Sequence, residues 1–275
     1  GNITLRSTGS VSLGAITLPG TLTLTADAGA VTQAGALTAG GLTVTARDGI
    51  ILTHSGNAAG AFVKLTNLDT GGIAYRDSGS IRIGSIDATG QAVTLRADGD
   101  IRQTTGIEAA LLNLTATGNV TLVQSAGNLI NALGAVDVIS LTLVTAGDLD
   151  LAGAITASDS VSLTVNGVLS QSGGLVTTPS LTLAAIYGID MASINQVEAL
   201  TAISNGGTGG IRFVNGRSLA VDNLSADGDL DLHVTSGRLT LNGTIFSGGD
   251  MQVEAAGSIG GEGVIDSRRC VRVTS

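Results

Sequence analysis

Seven aspartates are the residues of this chain most able to do chemistry, because paired carboxylates serve acid–base work on glycosidic bonds. They come in clusters: Asp98 with Asp100, Asp148 with Asp150, and Asp227 with Asp229 and Asp231. Polysaccharide lyases and hydrolases use such acids. Such an enzyme gathers its acids on one face with Arg or Lys nearby. Here the acids are spread along the chain and sit beside turn glycines, as in ADGD and AGDLD, where aspartate favours the turn itself. The expectation is therefore no catalytic residue and no enzyme. His54 and His233 are isolated, without HExxH or paired-ligand spacing, and tandem calcium-binding nonapeptides are missing, so no metal and no cofactor are expected. Cys270 follows Arg268 and Arg269, which favours a thiolate, although a buried ladder thiol or an incidental residue is the plainer reading.

The second candidate chemistry is recognition. Two of the five aromatics stand near arginines: Tyr75 with Arg76, and Phe213 with Arg217. Aromatic plus arginine is a common composition for partner contacts, and these four are the candidate partner-binding residues. The competing reading is that Tyr75 and Phe213 only pack against the scaffold. Outward Thr-x-Thr pairs such as Thr23/Thr25 suggest an ice-binding face. That face is broken by Lys64, Arg96, Asp231, His233 and Glu254, so threonine in its ordinary β role is preferred.

What positions these residues is a repeat. An aliphatic–polar–aliphatic phrase followed by a glycine turn returns through the whole chain, as LTLTADAG from Leu22, VTLRADGD from Val93 and LDLHVTSG from Leu230. The first aliphatics are Ile3, Leu22, Leu42, Val63, Val93, Leu112, Leu141, Val161, Leu181, Leu200, Leu230, Met251 and Val271. Most intervals are close to 20 residues and three are close to 30. Alternation with period two puts each anchor and the residue two later on one strand face, with Thr, Ser or Asn between them on the other. Val31, Ile101, Leu149 and Val168 start a second short strand after the corner, and Ile155, Leu175 and Ile245 a third. No amphipathic helix is visible, which excludes a strand–helix solenoid.

The fold class is accordingly all-β, a right-handed parallel β-helix, with about 12 coils of roughly 20 residues and three coils lengthened to roughly 30. Residues 1–275 form one β-helix segment. The extra residues lie near 71–90, 123–138 and 209–228. The first and third match at an offset of 138, as GGIAYRDSGSIRIG and GGIRFVNGRSLAVD. Turn signals at Asp77–Gly79 and at Asn215-Gly216 predict an additional strand pair or small hairpin in each, widening or leaving the coil. The SNGGTGG stretch (204–210) lacks the Lys-Ser/Thr of a phosphate loop and reads as a corner.

Composition narrows the classes further. Gly is 41 of 275 residues, aromatics are 2% and the net charge is −9, which argues against nucleic acid and anionic membrane as partners. No apolar run is long enough for a membrane helix. One cysteine rules out a disulfide framework and fits a secreted bacterial protein. No signal peptide is visible before GNITLRS, and both ends fall inside the repeat pattern, as in an excerpt of a longer solenoid.

Residues 22–49, LTLTADAGAVTQAGALTAGGLTVTARDG, resemble the repeats of filamentous haemagglutinin-like exoproteins, the adhesins of two-partner secretion; the G-x-φ-x-Q-x-G step at Gly29–Gly35 adds to the alternation. The resemblance covers essentially the whole chain. It implies a structural shaft of a secreted cell-surface adhesin acting in attachment, biofilm or virulence. It further implies an outer-membrane secretion transporter, a host-cell or matrix glycan or surface protein, and further coils of the same protein as partners. The family's N-terminal secretion domain, an Asn-Pro motif and a toxin domain are not seen here. The alternatives are the stalk of a contact-dependent toxin and, from another class, the glycan-active enzyme already described.

Overall fold

A computed structural model describes residues 1–124, 127–206 and 209–275, the side chains of 201–205 excepted. Among these residues every regular element is a strand, and every strand pairing whose register is given is parallel. The chain forms two compact units, Gly1–Ile139 and Ser140–Ser275. Each is a β-solenoid of coils about twenty residues long.

The register shows how the phrases build a core. In the first unit one inward column runs Leu5, Leu24, Val44, Leu65, Ile86, Ile107. A second runs Val11, Val31, Ile50, Ile73, Val93, Leu112, Leu133. In the second unit Leu149, Leu169, Ile189, Ile211, Leu230, Met251 and Val271 form an equivalent column. Parallel strands lie about 4.8 Å apart, so like residues touch their counterparts directly. Each fully buried aliphatic in such a column contributes roughly 1.5–3 kcal/mol. Ile3, Leu5, Val271 and Val273 occupy column positions but are exposed, because they belong to the first and last coils of the chain described.

These columns overturn the idea of lengthened coils. Neighbours within a column are 19 to 23 residues apart throughout, including across 71–90, 123–138 and 209–228. Val93 does not stack on Val63. It stacks on Ile73, which stacks on Ile50, a second-strand residue. Leu230 likewise stacks on Ile211 and Ile189, and Leu112 pairs with Leu133 rather than Leu141. The ten additional residues are one more face of an ordinary coil. They carry the next LTLT-like phrase around to the neighbouring face.

Each segment does contribute additional strands, but they pair with neighbouring coils and not with each other as a hairpin. Ile73–Asp77 pairs parallel with the strands before and after it in the stack, and so does Ile211–Asn215. Asn215-Gly216 serves as a corner: Gly216 N–H donates to Asn195 O of the preceding coil at 2.7 Å. The Gly-Gly pairs that open both segments are needed for close approach. A Cβ on Gly72 would lie 2.5 Å from Ala92 O, and one on Gly210 would lie 2.6 Å from Asp229 O. Both carbonyls do the same work: Gly72 O accepts from Ile50 N–H, and Gly210 O from Ile189 N–H, each at 3.0 Å.

Two inward assignments shift by one residue. Val168 and Leu175 are exposed, whereas Leu169 and Val176 are buried. In Leu200's strand a register shift pairs Ile203, not Ala202, with Leu183. Within the predicted loop 204–210, positions 207–208 lie outside the described residues, as do 125–126 within the third segment.

Candidate functional site

Corners are where the polar side chains of this chain are used. At several of them a Ser or Asp accepts the backbone N–H one coil further on. Ser10 Oγ accepts from Ala30 N at 3.2 Å and Ser80 Oγ from Asp100 N at 3.0 Å. Asp100 Oδ1 accepts from Asn119 N at 2.9 Å, and Asp148 Oδ1 from Val168 N at 2.7 Å. Ser218 Oγ accepts from Arg238 N at 3.1 Å, and Asp229 Oδ1 from Asp250 N at 2.9 Å. Consecutive corners stack, so an amide with no strand partner meets a side-chain acceptor instead.

This accounts for six of the seven clustered acids. Asp100, Asp148 and Asp229 hold corner amides. Asp150 accepts from Ser172 N at 2.9 Å and from Ser170 Oγ at 3.1 Å. Asp98 pairs with Arg76 at 3.1 Å and Asp231 with Arg212 at 3.6 Å. Asp98 and Asp231 thus each face an arginine, and Asp100, Asp148, Asp150 and Asp229 accept hydrogen bonds from neighbouring coils. Among the described residues no group of three or more His, Cys, Asp or Glu could hold a metal ion. His54 Nδ1 accepts from Gly56 N at 3.0 Å, a local turn contact. Cys270 is exposed rather than part of a buried ladder, and Arg268 lies over the Phe246 ring at 5.5 Å.

The four candidate partner-binding residues separate by direction. Tyr75 and Phe213 are fully enclosed in the columns, so the aromatic half of the proposed contact surface lies inside the stack. Alternation dictates this, because both are column residues, Tyr75 paired with Leu95 and Phe213 with Leu232. Tyr75 Oη donates to Asp77 Oδ2 at 2.7 Å, and that carboxylate, itself buried, also accepts from Ala59 N and Gly79 N. Burial first, then the adjacent Asp77 charge and its hydrogen bond, hold the Tyr75 phenol proton well above the ordinary range. Arg76 and Arg217 point outward. Arg76 faces Asp98, with its Nε enclosed and unpartnered, and Arg217 pairs with Glu198 at 2.8 Å.

Arg217 also borders a groove of about 650 Å³, with Glu198, Ser218, Ser236, Arg238 and Thr240. It is open to solvent and crosses three successive coils of the second unit.

One buried device escapes sequence reasoning altogether. Gln103 Nε2 donates to Asn128 Oδ1 at 2.8 Å, and Asn128 Nδ2 donates back to Gln103 Oε1 at 3.1 Å. Asn128 Oδ1 also takes Ile107 N at 3.1 Å, and its Nδ2 gives to Leu122 O at 3.2 Å. Gln171 and Asn195 repeat the arrangement with Val176 N and Val214 O. The signal was present: the glutamine of the G-x-φ-x-Q-x-G step recurs at 33, 103 and 171. An asparagine follows each by 24 or 25 residues, at 57, 128 and 195.

Residues 1–66 match a family model described as repeats of unknown function (DUF5649). No curated protein and no solved structure gave a match to the chain.

Proposed function

We propose that this chain is a shaft segment of a secreted bacterial surface protein, resembling the filamentous haemagglutinin-like adhesins of two-partner secretion. The observation that carries it is the use made of polar side chains. The corner Ser and Asp residues and the Gln–Asn pairs bind neighbouring coils to each other, which is what a load-bearing scaffold needs. The match to repeats of unknown function over residues 1–66 supports the repetitive scaffold and leaves the biological role to this reading. The partners that follow are an outer-membrane transporter, further coils of the same protein, and a glycan or surface protein at the target.

The test is antibody labelling of intact cells of the source organism, with and without deletion of the coding segment, beside an attachment assay. Surface labelling with loss of attachment on deletion is the expected result. Labelling confined to permeabilised cells would reject secretion. Surface labelling with intact attachment but lost killing of neighbouring cells would reassign the segment to a toxin stalk.

A further inference from the structure

Four asparagines precede a glycine in this chain: Asn166, Asn205, Asn215 and Asn242. Asparagine is thermolabile, and a following glycine, having no Cβ, leaves its own backbone nitrogen open to approach by the asparagine side chain. The side chain of Asn205 lies outside the described residues. The other three share a dipeptide and differ in what holds it. Asn215-Gly216 is held at both reacting groups. Asn215 is fully buried, its Oδ1 accepts from Val197 N, and its Nδ2 donates to Val197 O and Arg217 O, each at 2.9 Å. Gly216 N–H donates to Asn195 O at 2.7 Å. The Asn215 Cγ and the Gly216 nitrogen can meet only after these bonds break.

Asn166 and Asn242 stand in the opposite condition. Both are exposed at corners. The Asn166 side chain has no hydrogen-bond partner among the described residues, and Asn242 has one exposed bond, from Nδ2 to Asp222 Oδ1 at 3.1 Å. The chain on either side is anchored. Asn166 N–H donates to Thr145 O at 3.1 Å and Val168 N–H to Asp148 Oδ1 at 2.7 Å. Asn242 N–H donates to Val221 O at 2.8 Å and Thr244 N–H to Asn223 Oδ1 at 3.3 Å. Between these anchors the N–H groups of Gly167 and Gly243 have no hydrogen-bond partner among the described residues. Gly167 is enclosed and Gly243 partly exposed, so the Gly243 proton is the easier for water to reach. Each corner sets an uncommitted backbone nitrogen beside an exposed side-chain amide.

We propose that Asn166 and Asn242 are deamidation sites and that Asn215, with the same dipeptide, is spared. The glycine nitrogen gives its proton to solvent water and bonds to the asparagine Cγ. The Cγ–Nδ2 bond breaks, Nδ2 leaves as ammonia, and a succinimide ring closes. Water then opens the ring at either carbonyl, giving aspartate or isoaspartate. The sum consumes water, releases ammonia and needs no oxidant or cofactor. At Asn242 the new carboxylate faces Asp222, which loses the donor it had. Isoaspartate would also lengthen the backbone at a corner whose neighbours are tied to the coil before. The modification does not depend on how the parent protein is exported.

The test is incubation of the folded 275-residue chain at mildly alkaline pH, followed over time by peptide mapping in a mass spectrometer. A parallel sample is unfolded in guanidinium chloride. In the folded chain Asn166 and Asn242 should each convert about tenfold or more faster than Asn215, because Asn215 reacts only from a locally opened minority. In the unfolded sample the three rates should converge, since the dipeptide is the same. Asn215 converting as fast as either of the others in the folded chain would overturn the assignment. So would an unmodified Asn166 or Asn242, or a folded-state ranking that persists in guanidinium chloride.

Discussion

Gln33 and Asn57, 24 positions apart, hold each other by both amides: Gln33 Nε2 donates to Asn57 Oδ1 at 2.8 Å, and Asn57 Nδ2 donates to Gln33 Oε1 at 2.9 Å. Asn57 is fully buried and also takes Leu37 N at 2.9 Å and gives to Leu52 O at 3.1 Å. One side chain therefore satisfies backbone groups on two stretches of chain.

Removing it should be felt in both. Asn57→Ala leaves Leu37 N–H and Leu52 C=O without their partner and should cost about 1–3 kcal/mol. Hydrogen exchange is the measurement, because a solenoid opens coil by coil. Faster exchange at Leu37 and in the strands of adjacent coils is expected, with Asn128→Ala and Asn195→Ala giving the same local signature at Ile107 and Val176. Exchange unchanged at these amides would show the pair to be idle.

The corner acceptors predict an unusual tolerance. Since Ser10, Ser80 and Ser218 do what Asp100, Asp148 and Asp229 do, Asp148→Ser should keep the bond to Val168 N while Asp148→Ala loses it. The expected difference is about 1 kcal/mol in urea denaturation. Equal stabilities would remove the argument that these acids are structural.

Tyr75 predicts a response to alkali. Its folded-state proton is held above the ordinary phenol range by burial and by Asp77, so an unfolded chain releases that proton first. The stabilisation is fully present below about pH 10, begins to fall as pH passes the unfolded-state value and is lost as pH rises on through the higher folded-state one. Thermal unfolding followed from pH 8 to 11 should show a fall above pH 10 that is smaller in Tyr75→Phe. That variant should also be less stable at neutral pH, by about 1–3 kcal/mol, since Asp77 loses a donor. A pH profile identical in the two proteins would contradict the buried phenol.

Register can be checked at a single pair of neighbours. Val168→Asp changes an exposed side chain and should stay within about 0.5 kcal/mol of the parent. Leu169→Asp places a carboxylate in the column between Leu149 and Ile189 and should exceed about 4 kcal/mol. Leu143→Asp, at another buried position, belongs with the second. The opposite order for residues 168 and 169 would move the strand by one residue.

These neighbours show where sequence reasoning reaches its limit. The phrases at Leu22, Leu42 and Leu181 gave the strands, the faces and the twenty-residue period, because alternation along a strand leaves little choice of inward residue. At Val168-Leu169 and Leu175-Val176 two aliphatics stand side by side, so pattern alone could not choose between them. The long intervals misled for a different reason. Tracking Val63 to Val93 follows the phrase, whereas stacking follows chain length, and Ile73 supplies the missing step. Tyr75 and Phe213 were singled out for their type. Their positions in the alternation, in line with Ile73 and Ile211, already pointed inward. The Gln–Asn pairs stayed hidden because the partners are separated by more than a full coil, and only the glutamine, in its G-x-φ-x-Q-x-G step, belongs to a visible pattern.

The stepping of the phrase from one face to the next separates two properties that repeat sequences usually carry together. Coil length is the conserved quantity here, and the position of the phrase within the coil drifts. A change of about twenty residues adds or removes a storey and leaves every remaining column aligned. A change of ten inside a single face would set aliphatic against corner in every coil beyond it. Such a chain can be lengthened or shortened by inheritance in whole storeys, while the outward side chains are free to be reassigned from one side to another.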